Sequence, residues 1–136
     1  METTTLGKTG IEVSRLGLGL AEIRDLSGRD GTDQAARVLN GALDSGINFL
    51  DTAECYGNSE ELIGKTVAHR RDEYALATKC GHSDGLGGPS WTASTVRESI
   101  DRSLRRLKTD RVDIIQLHSC ELEVLKRGEV TEELVK

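Results

Sequence analysis

Three stretches repeat apolar residues at helical spacing. Ala36, Leu39 and Leu43 do so in residues 33–45, which Gly46 closes as a C-cap. Leu62, Ile63 and Val67 do so in residues 59–68, where Ser59 is placed to cap and Glu60 and Glu61 fill the first turn. Val96, Ile100, Leu104 and Leu107 form a stripe along residues 92–107, the longest helix expected. Between them lie short apolar runs of strand length: residues 47–52, 74–79 (YALATK) and 112–118 (VDIIQLH). Ahead of these, residues 3–17 alternate loosely around a Gly7-Lys8-Thr9-Gly10 turn, a β-hairpin pattern. Residues 14–20 (SRLGLGL) read as a glycine-bearing strand, residues 21–32 as a polar loop, and residues 82–91 as a glycine-rich loop holding the single proline, Pro89. Strand and helix alternate, which specifies βαβ units and a parallel sheet. Near the end, Thr131 is placed as an N-cap before Glu132, Glu133, Leu134 and Val135. A single turn there meets the cost of helix nucleation with almost no propagation.

Composition narrows the class of protein. The 136 residues are one domain by length. Charged residues make up 30% with both signs mixed, and the net charge is -5, which is no footprint for nucleic acid or a membrane surface. No apolar run approaches bilayer length, and METTTLGKTG carries no signal core, so a cytoplasmic protein is expected. Cys55, Cys80 and Cys120 are odd in number and form no CxxC, which fits reduced thiols.

Chemistry enters at the strand ends. Asp51, Lys79 and His118 each close an expected strand. Alternation puts Lys79 on the face of Ala75 and Ala77, and His118 on the face of Ile114 and Gln116. Ligand sites of parallel α/β sheets and of (β/α)8 barrels sit at the carboxyl ends of strands. One such residue is most simply a strand end reaching water. Three in succession, with Tyr56 in the loop after Asp51, point to a site. A tyrosine, with an ordinary pKa near 10, is a poor acid at neutral pH, and a neighbouring ammonium favours its deprotonated form. A carboxylate fixes the lysine, and a histidine at the same rim can bond a substrate oxygen. Such a set suits proton donation to a carbonyl that is receiving hydride. Trp91 reads equally as a pocket wall or as packing over the third helix. Arg102, Arg105, Arg106 and Lys108, interleaved with Asp101 and Asp110, read as a solvated face.

GINFLDTAECYGNSEELIGK (46–65), YALATKCG (74–81) and STVRESIDRSLRRLKTDRVDIIQLHS (94–119) resemble, in order, motifs of the aldo-keto reductase family. The resemblance implies a (β/α)8 TIM barrel closed at its base by the hairpin. Such a barrel takes about 250 residues. The expectation is therefore its N-terminal half: a hairpin at about 3–17, then about four parallel strands with helices, the last cut short, as a single incomplete domain over 1–136. The implied activity is NADPH-dependent reduction of an aldehyde or ketone to an alcohol. Tyr56 would donate the proton, Lys79 and Asp51 would tune it, and His118 would orient the carbonyl. Gly19, Leu20, Asp51 and Ser119 would touch the cofactor, while the family's pocket for the adenosine and 2′-phosphate lies on later elements. The partner is then a small-molecule carbonyl, and the 136 residues alone are expected to be inactive and to self-associate through open sheet edges.

Three alternatives stand beside this. A non-catalytic barrel fragment or partner-binding subunit is one. A Cys3His metal site of the three cysteines with His82 or His118 is another. The third is a Rossmann fold, but the third glycine of GxGxxG would fall at Glu22, and Asp51 lies well past the expected spacing of about 20 residues.

Overall fold

The computed structural model describes all 136 residues. Strands β1 (Thr3–Thr5) and β2 (Glu12–Ser14) pair antiparallel, with Thr3 opposite Ser14. They form the expected hairpin. Four further strands, β3 (Leu18–Gly19), β4 (Phe49–Asp51), β5 (Ala75–Cys80) and β6 (Ile114–Leu117), make one parallel sheet in chain order. Between them run α1 (Gly28–Asp44), α2 (Ser59–Thr66) and α3 (Ala93–Leu107). The hairpin is tied to the start of β4. Ser14 N–H donates to Asn48 Oδ1 at 2.5 Å, and Asn48 N–H donates to Ser14 Oγ at 3.0 Å.

Several boundaries differ from the sequence pattern. Strand pairing in residues 14–20 is confined to Leu18 and Gly19, because Ser14 is committed to the hairpin. The expected polar loop holds a 3-10 turn, Ala21–Ile23, that buries Ile23, and α1 begins at Gly28 rather than at residue 33. Its first turn, GRDGT, has no apolar stripe to announce it. The turn is held instead by Asp30 near the positive helix end and by the close seat of Gly31 against Leu26. At α2 the N-cap position is Asn58, not Ser59. The Ser59 hydroxyl turns inward to Thr52 Oγ1 at 2.8 Å, and Asn58 Nδ2 donates to Leu26 O at 3.0 Å.

The C-terminal end departs most. Helix α4 (Leu122–Arg127) went unseen in the pattern, and α5 (Glu129–Leu134) starts two residues before Thr131. Gly128, at φ +79°, ends one helix and starts the next. Neither is long enough to stand alone. Tertiary contacts hold them: Val124 and Val130 pack into a cluster with Val96 and Cys80, and Glu133 pairs with Arg97 at 2.7 Å.

Parity divides the sheet into two unlike faces. Leu50, Leu76, Thr78 and Cys80 are buried beneath the helices, where Leu50 and Leu76 join Leu39, Leu43, Leu62, Ile63, Val67 and Leu107 in the main core. The opposite face carries Phe49, Asp51, Ala75, Ala77, Lys79, Ile114 and Gln116, and Gln116 is exposed. Ala75 and Ala77 are nonetheless buried, because a methyl group lies below the level of the larger neighbours Phe49 and Ile114. The buried face of α3 is Thr95, Val96, Ser99, Ser103 and Leu107, while Ile100 and Leu104 are only half-buried. Small residues win that face because α2 comes very close: a Cβ on Gly64 would lie 2.1 Å from Arg106 O. No helix is long and apolar enough to cross a membrane.

Candidate active site

Asp51 ends β4, and Lys79 lies on the neighbouring strand β5 with its side chain on the same, helix-free face. Lys79 Nζ donates to Asp51 Oδ1 at 2.5 Å and to Thr52 O at 2.9 Å. Gln116 Nε2 donates to the other carboxylate oxygen, Asp51 Oδ2, at 3.4 Å. The ammonium also sits 4.9 Å from the centre of the Tyr56 ring. Tyr56 meets His118 edge to face, with ring centres 5.7 Å apart and planes at 83°. The three strand-end side chains and Tyr56 of the following loop therefore stand together at the carboxyl rim.

His118 is fixed from several sides. Its N–H donates to Cys80 O at 2.9 Å, and its carbonyl accepts from Trp91 Nε1 and His82 Nε2, each at 3.1 Å. Its Nδ1 lies 3.1 Å from Cys55 Sγ. Burial, followed by the neighbouring His82 and Lys79, pushes its pKa below the usual histidine range, which favours a neutral ring. Burial also raises the Cys55 thiol, helped by the negative charges of Asp84 and Glu54. Trp91 thus packs at the rim and braces the histidine loop.

Sequence reasoning missed what holds the Tyr56 loop. Glu54 is 3% exposed. Its Oε1 accepts His82 N–H at 3.0 Å, and its Oε2 pairs with Arg102 at 2.8 Å. Arg106 Nη1 donates to the Glu54 carbonyl at 2.9 Å and approaches Glu60 Oε2 at 3.5 Å. Arg102 and Arg106 are therefore not part of a solvated face. Their side chains are 13% and 27% exposed, whereas Arg105 and Lys108 do face solvent. One helical turn separates the two arginines, so both look toward α2 and the loop after β4. That i, i+4 pair, set against Glu54 and Glu60, was the available signal. Glu60 is fully buried, bonded through Oε1 to Thr78 Oγ1 at 2.8 Å, and burial raises its pKa.

The residues expected to touch a cofactor are placed unequally. Gly19 pairs with Asp51 in register and has open space above its Cα. Ser119 is exposed directly after His118, at φ +49°. The Leu20 side chain is in the core, 1% exposed, so a ligand could reach only its main chain. The cysteines do not assemble. Cys80 points to the helix side, opposite in parity to Lys79, and burial lifts its pKa to about 12. Cys120 packs against the cluster of Cys80, Val96, Val124 and Val130. Cys55 instead falls near His82 and Asp84. A cleft of about 250 Å³ between α2 and α3, lined by Glu61, Lys65, Arg105, Arg106 and Lys108, lies away from these groups.

A parallel sheet with helices on one face, a hairpin at its base and a Lys-Asp-Tyr-His cluster at its carboxyl rim defines a barrel-type α/β protein with an enzyme-like site. The Aldo/keto reductase family model matches residues 15–135, and the chain belongs to that family. It is 39% identical over 127 residues to L-galactose dehydrogenase of Arabidopsis thaliana, covering 89% of this chain and 39% of that one. A solved structure of a Pseudomonas aeruginosa protein described as an aldo-keto reductase superposes with a TM-score of 0.85 at 36% identity, over 98% of this chain and 54% of the other. An aldo-keto reductase of Bacillus halodurans in its holo form gives 0.82 at 33%, over 98% and 45%. The fold is about half of a (β/α)8 barrel, and the chain spans about half or less of the length of these relatives.

Proposed function

We propose that this chain contributes the proton-transfer half of an NADPH-dependent aldehyde or ketone reductase. In this reading residues 1–136 are one incomplete barrel domain of a cytoplasmic enzyme. The observation that carries it is the Lys79 ammonium, locked by Asp51 and Thr52 O and set 4.9 Å from the Tyr56 ring. That pairing explains why a half-buried lysine is worth keeping beside a phenol.

The rim residues fit one end of a nicotinamide cofactor. Open space above Gly19, the half-buried Asp51 and the exposed Ser119 offer room and polar groups beside Tyr56. NADPH bound there would supply hydride to the carbonyl carbon. As the carbonyl oxygen gains negative charge, the Tyr56 hydroxyl gives it a proton, and the alcohol results. Lys79 stabilises the phenolate left behind, which is reprotonated from solvent. Asp51 keeps the ammonium from swinging away. His118, neutral and pinned by its own backbone bonds, directs a ring nitrogen at the substrate oxygen and so orients it. The buried Glu54–Arg102 pair does none of this chemistry, yet it holds the loop that carries Tyr56.

The test is turnover of NADPH with a panel of aldehydes and ketones by the full gene product. Tyr56→Phe should lower kcat by roughly 10²–10⁴-fold, the usual share of a general acid, while NADPH affinity by fluorescence is retained. Undiminished turnover by that variant would remove Tyr56 from the role.

A further inference from the structure

We propose that Cys55, His82 and Asp84 form a site for a thiophilic divalent cation of the zinc class at the edge of the rim. One ligand atom from each residue lies within 4.8 Å of the others. The set mixes thiol, imidazole and carboxylate, the three donor types that zinc accepts. Ligand atoms around tetrahedral zinc stand about 3.3–3.5 Å apart, from Zn–S near 2.3 Å and Zn–N or Zn–O near 2.0 Å. The needed contraction is about an ångström.

The surroundings permit and favour that contraction. His82 and Asp84 open the glycine-rich loop, where Gly87 and Gly88 have open space around them. His82 Nε2–H donates to His118 O at 3.1 Å. That bond leaves the proton on Nε2 and the Nδ1 lone pair free, 3.9 Å from Asp84 Oδ2. A backbone carbonyl holding the far side of the ring is the usual outer support of a metal-bound histidine. His82 and Asp84 are partly exposed, so a cation can enter. Arg102 pairs with Glu54 and also donates to the Asp84 main-chain carbonyl, while the Asp84 carboxylate itself has only His82 Nδ1 at 3.9 Å as an ion-pair neighbour. Three protein donors leave a fourth position for water or another ligand, as in open zinc sites. This set is not the three-cysteine arrangement, because Cys80 points to the helix side and Cys120 packs with it, away from Cys55.

Occupancy would draw Cys55 Sγ off His118 Nδ1 and place a cation beside the His118 ring, obstructing its approach to a substrate oxygen. That consequence rests on the reductase reading, whereas binding does not. The experiment titrates the 136-residue chain with Co²⁺, and with Zn²⁺ against a chromogenic chelator, under thiol-free reducing conditions. One metal per chain is expected, with a thiolate-to-cobalt charge-transfer band that Cys55→Ser abolishes. His82→Gln and Asp84→Asn should weaken Zn²⁺ binding by about tenfold or more. His69→Gln and Cys120→Ser should leave it unchanged. X-ray absorption of the unmodified Zn²⁺ form should show one sulfur with nitrogen and oxygen ligands, a readout that does not depend on any variant folding. Absence of stoichiometric binding, a sulfur-free shell, or a band that survives Cys55→Ser would overturn the site. No arm uses turnover, so its failure is separate from failure of the reductase reading.

Discussion

At the scale of single residues, Glu60 has the clearest thermodynamic signature. It is buried with one oxygen bonded to Thr78 and the other without a hydrogen-bond partner, and burial raises its folded pKa above the ordinary 4.5. The native state therefore holds this proton more tightly than the unfolded chain. The stability from Glu60 is full below the ordinary value and is lost as pH rises through the raised folded one. Glu60→Gln keeps an acceptor for Thr78 but cannot titrate. The urea midpoint of wild type minus that of Glu60→Gln should be larger at about pH 5 than at about pH 8. His118 has the opposite sign, because its lowered pKa weakens the fold as pH falls, but it is common to both proteins and cancels. An equal difference at the two pH values would mean that Glu60 does not carry this linkage. In the site itself, Lys79→Met should slow carbonyl reduction by at least about tenfold, since it removes the charge beside Tyr56. The same assay checks it, and unchanged kcat would show that the ammonium has no part in the step.

Among the elements, the tightest joint is between α2 and α3. Gly64 faces Arg106 O so closely that a methyl group has no room, and the obstacle is backbone rather than a side chain that can swing away. Gly64→Ala should destabilise by about 1–3 kcal/mol or more, the range for overpacking, read from the denaturant midpoint. A variant as stable as wild type would show that the helices separate freely. The same joint accounts for a misread face. The apolar stripe of α3 is legible as Val96 and Leu107, yet Ser99 and Ser103 take the innermost positions because only small residues allow this approach. Close packing also brings Arg102 and Arg106 over Glu54 and Glu60, so those charges are structural. Helices α4 and α5 show the converse, since neither has enough local signal: α5 is held against α3, and α4 against α5, in the cluster that joins Val96, Val124 and Val130.

For the whole molecule, the decisive feature is a sheet with helices on one face only. Phe49 and Ile114 are half-buried on the other face, and Leu18–Gly19 and Ile114–Leu117 are its edges. Open edges and an uncovered apolar face drive association. The isolated 136-residue chain is therefore expected to exceed monomer mass in light scattering and to show weak or no NADPH binding by fluorescence. Association through these edges would also place Asp51 and Lys79 in a setting other than that of a closed barrel, where a drier surrounding strengthens their effect on Tyr56. A clean monomer that binds NADPH at micromolar concentration and reduces a simple aldehyde would refute this expectation.

The order of strands and helices through β6, and the placement of Asp51, Lys79 and His118 at strand ends, were determined by the sequence itself. Both follow from local periodicity: a period of 3.6 marks the helices, a period of 2 puts Lys79 on the face of Ala75 and Ala77, and parallel strands bring their carboxyl ends to one rim. The seat of Tyr56 in the following loop depends instead on the distant Glu54–Arg102 pair. The chemistry of those side chains was equally local. The burial of Glu54 and Glu60 under two arginines, the start of α1 at Gly28, the two last helices and the gathering of Cys55 with His82 and Asp84 were decided only in three dimensions. In each of these, the partner is distant in the chain or the helix is too short to hold itself. The free energy then comes from packing and desolvated charge rather than from any pattern within one segment.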